Sequence, residues 1–392
     1  MKNKYIDMIK TFRYIVLGGL LSLLVTGCVS DFFPSGTEGL SDLLVVEGFI
    51  TDGESTFHIS RSIAITDETA YYPPETNVSL MYIECNDGSR TASATTDTPG
   101  RYHIDHVSLA TDKQYRLYFK LDNGEEYISE FLTPLLTPEI DSISYIKPGT
   151  GEEIQICVST TEEKDQSRYF WWSYVEDWEV WAFLEAEYGL DENYRVYEFE
   201  PPYNTYYCWG NDVSKNLLLG STTNLSTNKI INHTLLEISP YSDKLSVLYH
   251  IEVVQHLIRK EAYDYFYNLL KNTDQNSGLF TSMPTEIKGN IRHVSQPEIP
   301  VIGYIEVSTT TKATRFIDYL EGLYEFSHTY YTQSQLCFEM ETDDKEEALR
   351  LNYRPYRYED NKLKYKPREC VDCRTKYQAT KNKPDFWPGD RQ

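Results

Sequence analysis

The chain has 392 residues, 60 of them Asp or Glu against 37 Lys or Arg, for a formal charge of −23. So acidic a surface is repelled by phosphate backbones and anionic headgroups, which excludes nucleic acid as a partner. The length suits two domains of ~100–200 residues each.

Lys2, Lys4, Lys10 and Arg13 form a basic start, and residues 14–25 an apolar run. That run is too short to span a hydrocarbon core comfortably, so residues 1–27 are expected to be a secretory leader rather than an anchor. Val25, Thr26, Gly27 and Cys28 form a lipobox, in which small residues precede a cysteine that takes diacylglycerol before cleavage makes it residue one. Burial at ~0.8 kcal/mol per CH₂ makes a multiply acylated Cys28 a firm membrane anchor. Removing residues 1–27 takes away those four basic groups and Asp7, which moves the charge by three, from −23 to −26. Residues 28–41 read as a tether. No second apolar run of spanning length follows.

From 42 to 134 the pattern is all strand. Residues 43–50 are rich in β-branched side chains and end at Thr51, Asp52 and Gly53. Residues 78–85 lead into Asn86, Asp87 and Gly88, and the alternation of Tyr115, Leu117, Phe119 and Leu121 leads into Asp122, Asn123 and Gly124. Short strands closed by such turns are the pattern of a β-sandwich. Pro134 and Pro138 mark a boundary, after which 135–392 reads as a larger β-rich domain. Two aromatic strands, 169–175 and 178–183, are expected there, joined by a turn at Glu176 and Asp177. The polar stretch 186–207 reads as an irregular insertion. A helix is expected over 259–271, where Ala262, Phe266, Leu269 and Leu270 recur at helical spacing and Lys260, Asp264 and Lys271 lie opposite. A loop follows at 281–289 and a strand at 301–308.

Little in this pattern suggests catalysis. His103 and His106 are three apart in a strand and so face opposite sides, which is poor spacing for a metal. No nucleophile elbow, zinc-protease helix or phosphate-cradling loop is present, so no enzymatic activity, metal or cofactor is expected. With Cys28 lipidated, Cys85, Cys157, Cys208, Cys337, Cys370 and Cys373 remain in an oxidising exterior. Cys370 and Cys373 have C-x-x-C spacing but neither a redox βαβ context nor a second zinc pair, and are expected to clamp the tail. At least one of them is expected to bridge to Cys208 or Cys337. The 33 tyrosines, 16 phenylalanines and 6 tryptophans suit half-buried strands, and they also suit contact with ligands or proteins. Trp178 and Trp181, on the second aromatic strand, are the candidate contact surface.

The run Val46, Glu47, Gly48, Phe49, Ile50, Thr51, Asp52, the strand at Val78, and the stretch from Thr96 to Tyr102 resemble the carboxypeptidase regulatory-like, transthyretin-like module. Over a greater length, Glu261–Tyr265, Gly278–Phe280, Pro284–Asn290, Val301–Tyr304, Cys370–Arg374 and Lys383–Trp387 resemble the lipoprotein family called domain of unknown function 4249. These resemblances imply a mainly β fold: an N-terminal Ig/transthyretin-like β-sandwich followed by a larger β-rich domain with one clear helix. Within them, Gly289 is expected to hold a backbone conformation that a Cβ resists, and Asn290 to bond neighbouring backbone. The family resemblance further implies a Bacteroidota outer-membrane lipoprotein beside a TonB-dependent transporter, with Asp31 after the lipidated cysteine favouring the cell-surface face. The expected role is an accessory or ligand-capture partner of that transporter, with the ligand unidentified. A surface hydrolase and an adhesin or assembly subunit remain alternatives.

Overall fold

The structure is a computed structural model that describes residues 43–62, 76–149, 151–191, 193–200, 204–275, 289–323 and 337–389. The leader 1–27, Cys28, the tether and all but the last residue of the loop expected at 281–289 lie outside these residues.

The first strands are β1 (Leu44–Ile50), β2 (Gly53–Arg61), β3 (Val78–Cys85), β4 (Thr95–Thr98), β5 (Arg101–Val107), β6 (Tyr115–Leu121) and β7 (Glu126–Ser129). Strict alternation places Tyr115, Leu117, Phe119 and Leu121 of β6 in the core and half-buries the residues between them. Then come β8 (Ile140–Ile146), β9 (Ile154–Thr161), β10 (Tyr169–Trp181), β11 (Tyr188–Leu190), β12 (Val196–Glu198), β13 (Tyr207–Val213), β14 (Leu218–Ser221), β15 (Lys229–Ile238) and β16 (Leu248–Ile258). Helix α1 (Lys260–Gln275) precedes β17 (Ile291–His293), β18 (Val301–Ile302), β19 (Glu306–Val307) and β20 (Thr310–Asp318). The chain ends on β21 (Met340–Glu341), α2 (Lys345–Arg350), β22 (Tyr353–Glu359), β23 (Lys362–Pro367) and α3 (Arg368–Val371). The fold is mainly β, with several antiparallel sheets.

The N-terminal sandwich is not confined to 42–134. One sheet runs β18-β1-β2-β5-β4 with β19 also on β1, and its partner runs β17-β7-β6-β3. Ile291, Val301, Ile305 and Val307 therefore share a core with Val46, Phe57, Leu117 and Phe119. Both β18 and β19 lie parallel to β1, and parallel partners have to arrive through long crossovers. At this joint Gly289 is needed for close approach: a Cβ there would sit 1.7 Å from the Gly303 carbonyl oxygen. The Asn290 side chain donates to the Ile305 carbonyl and accepts from the Ile305 amide, each at 2.8 Å.

The second body packs the sheet β13-β10-β16-β20, with β14 on β10, against β15-β9-β8. Here the expected turn at Glu176 and Asp177 is replaced by one unbroken strand of 13 residues. It pairs with β16 from Tyr169 opposite Ile258 to Glu179 opposite Leu248. Two mid-strand carboxylates are tolerated because both are partnered: Glu176 accepts from the Tyr249 hydroxyl (2.8 Å) and the Lys244 ammonium, and Asp177 faces His250. Helix α1 extends four residues beyond the expected end at 271 and buries Ala262 and Tyr265 against Tyr304. Arg259, just before it, pairs with the buried Glu306 and donates to the Thr133 carbonyl, which ties helix, linker and β19 together.

Phe49 of the sandwich stacks on His256 of β16 at 4.2 Å, where the His256 Nδ1 lies 3.2 Å from the Ser308 hydroxyl. Burial pushes the His256 imidazole down from 6.5 to about 3. Below pH 6.5 the unfolded chain therefore binds a proton that the folded chain refuses, so stability falls as pH falls through that window. Between pH 6.5 and about 5 this residue is expected to remove roughly 1.5–2 kcal/mol. Urea titrations across that range should show a shallower pH slope in His256→Phe; an unchanged slope would assign the effect to other groups.

Candidate functional site

A cleft of about 280 Å³ opens between the β11–β12 hairpin and the C-terminal lobe built by β22, β23 and α3. The stretch expected to be irregular (186–207) in fact supplies this hairpin, and backbone bonds lock it to the lobe. The Glu187 amide donates to Tyr356, the Leu184 amide to Cys370, and the Cys373 amide to Thr205. Two disulfides fasten the same lobe: Cys208–Cys373 joins it to β13, and Cys337–Cys370 closes it on itself. The two C-x-x-C cysteines thus bond to different partners, so the pair is a double clamp. Cys85 and Cys157 are free and buried.

One wall of the cleft is aromatic. Tyr188, Tyr197 and Phe199 come from the hairpin and its end, with Tyr197 and Phe199 edge-to-face at 5.3 Å. The other wall is cationic, with Arg354 from β22 and Arg374 and Lys381 from the tail. Asp372 is the lining carboxylate, and it is occupied. It accepts from Arg374 at 2.8 and 2.9 Å and from Arg368 at 3.1 Å. Burial opposes its charge, but the bonds and charge of Arg374 and Arg368 outweigh burial and hold the carboxyl below its usual range, so it stays ionised.

Arg354 and Lys381 differ from Arg374. Among the described residues no carboxylate pairs with either; Arg354 donates to its neighbour Tyr353's carbonyl (2.8 Å) and Lys381 to Tyr207's. Burial, and then the nearby Arg368, push the Arg354 guanidinium down. Burial, and then Arg374, do the same to Lys381. Both are half-buried cations beside like charge, which the nearby Asp372 carboxylate offsets only in part.

The candidate contact residues divide. Trp178 is only 1% exposed and belongs to the core, which corrects its assignment to a contact surface. Its indole lies where a Cβ on Gly210 would come within 2.4 Å, and Lys244 covers the ring at 4.6 Å. Trp181 is half-buried, its Nε1 donating to Glu179 at 2.6 Å. His103 is half-buried beside Thr56 and Glu54, while His106 is exposed at an irregularity of β5 with φ 56°. Among the described residues no three His, Cys, Asp or Glu are placed to hold a metal ion. Cys28 lies outside the described residues, and among those described no helix is long and apolar enough to cross a membrane.

Residues 30–314 match the family described as a domain of unknown function (DUF4249). The chain belongs to that family. The DUF4249 region includes the sandwich, the second body and the aromatic hairpin of the cleft, and ends within β20. Arg354, Asp372, Arg374 and Lys381 lie beyond the matched part of this DUF4249 protein. No curated protein matches its sequence. Asp372 and Arg374 fall within the run Cys370–Arg374, whereas Arg354 and Lys381 belong to no motif; their signal in the sequence is charge, since over 353–383 ten Lys and Arg face four Asp and Glu, in a chain of net charge −23.

Proposed function

We propose that this DUF4249 protein is a non-catalytic lipoprotein of the outer membrane, facing the cell surface, which holds a small ligand for a TonB-dependent transporter. The observation that carries this reading is the cleft, in which three aromatic rings face cations on a lobe fastened by two disulfides. Few convergent polar groups beside apolar walls suit orientation and retention of a ligand. Binding fits this lining better than hydrolysis does, because Asp372 is engaged by two arginines and is not placed to exchange a proton. The membrane position rests on the leader and Cys28, and the transporter on the resemblance set out above.

Gentle detergent extraction of the tagged protein should bring down a TonB-dependent transporter, identified by mass spectrometry. Extraction that brings down none would remove the accessory role. Cys28→Ala is expected to shift the protein from the membrane to the soluble fraction and to abolish the acyl mass. A variant that still sediments with the outer membrane would sink the anchor assignment.

A further inference from the structure

We infer that the cleft takes a small singly charged carboxylate carried on a ring, either an acidic sugar or an aromatic acid. The inference rests on the reading of this cleft as a ligand seat. Its basis is an imbalance of charge that the fold itself leaves open. Asp372 is bonded by Arg368 and Arg374, whereas among the described residues Arg354 and Lys381 reach the same space with backbone carbonyls as their hydrogen-bond acceptors. Holding two half-buried cations beside two more arginines is costly, Asp372 offsets that cost only in part because it is shared among all four, and an incoming anion relieves the rest. A planar guanidinium matches the two oxygens of a carboxylate, and an ammonium adds a second donor without a directional demand.

The charge and size of the occupant follow from the surroundings. A protein of net charge −23, with Asp372 in the cleft wall, penalises each added negative charge, which favours a carboxylate over a phosphate dianion. A volume of about 280 Å³ lies just below the ~300–1,000 Å³ typical of ligand pockets and suits one ring rather than a chain of them. Tyr197 and Phe199 present that ring with aromatic surface opposite the cations.

The test is calorimetric titration of the full-length protein in detergent at low ionic strength. The probes are glucuronate against glucose, benzoate against benzamide, and acetate and inorganic phosphate alone. One acid is expected to bind at least about tenfold tighter than its neutral counterpart, and the pair that shows this tells sugar from aromatic acid. Arg354→Gln should weaken that acid about 10- to 100-fold, the value of a charge-assisted hydrogen bond, without moving the neutral counterpart. Lys381→Met should act in the same direction, and Tyr197→Ala, a change at a 44% exposed ring, should weaken the ring acids and leave acetate unchanged. A melting midpoint close to wild type shows that a variant is folded; should Arg354→Gln fail that control, Tyr197→Ala and Lys381→Met decide. Equal binding of acid and neutral partner, unaffected by the charge variants, overturns the inference and leaves the ligand-capture reading standing. Phosphate binding tighter than every ring acid, or no binding across the panel, also overturns it. The capture reading is judged separately by the transporter extraction, which needs no ligand.

Discussion

Trp178→Ala is expected to lower the unfolding free energy by about 3–5 kcal/mol, the range for deleting a large aromatic side chain from a packed core. The indole is 1% exposed and shares a cluster with Trp172, Tyr249, Cys208 and Cys373. Its neighbours have little room to close over the gap. Gly210 has no side chain to move, and Lys244 is held by Glu176 while it covers the ring. Truncation therefore leaves a cavity and also strips the aromatic face from a largely buried ammonium. Trp181→Ala is the internal comparison. That ring is only half-buried, so the expected loss is about half as large, from reduced contact and the bond to Glu179. Urea unfolding of both variants measures the difference. A loss below ~1 kcal/mol at Trp178 would mean that the ring does not fill the core as described.

How much of this was legible in the chain depends on the range of the signal. The alternation of Tyr115, Leu117, Phe119 and Leu121 is a local pattern, and it located a sandwich strand directly. The apolar spacing around Ala262 did the same for the helix. The completion of the sandwich by β17, β18 and β19 could not be read in that way. Strands of two or three residues carry no period, and a parallel partner is chosen by the fold rather than by neighbours in sequence. Glu176 and Asp177 looked like a turn because two adjacent carboxylates are unusual within a strand. Their partners, Lys244, Tyr249 and His250, lie some seventy residues away. The tryptophans were ambiguous for a related reason: strand period says which residues share a face, but not whether that face meets solvent or a second sheet. The cleft lay in two stretches that composition alone describes poorly, a polar hairpin and a basic tail. The reversal of charge over 353–383 was visible; that Arg354 and Lys381 lack a carboxylate became visible only with the fold.

Removing either disulfide is expected to destabilise the protein by several kcal/mol, and the longer loop should cost more. Cys208 and Cys373 are 165 residues apart and Cys337 and Cys370 are 33 apart. The chain-entropy argument gives about 5 kcal/mol for the first bridge and about 4 kcal/mol for the second. Alanine pairs suit the comparison better than serine pairs, because Cys208 and Cys373 are both fully buried and a hydroxyl there would lack water. The two pairs should also fail differently. Without Cys208–Cys373 the lobe loses its covalent tie to β13, leaving Thr205 with Val371 and Cys373, and Trp209 with Thr380, as hydrogen-bonded seams along that edge. The tail should then open to protease before the main core unfolds. Without Cys337–Cys370, the loop within the lobe loosens while the tie to β13 remains. Non-reducing peptide mapping checks the premise: it should recover two cross-linked pairs, with Cys85 and Cys157 alkylated only after denaturation. Both alanine pairs unfolding within ~1 kcal/mol of wild type would show that the bridges fasten a lobe already held by its packing, and that the cleft does not depend on them.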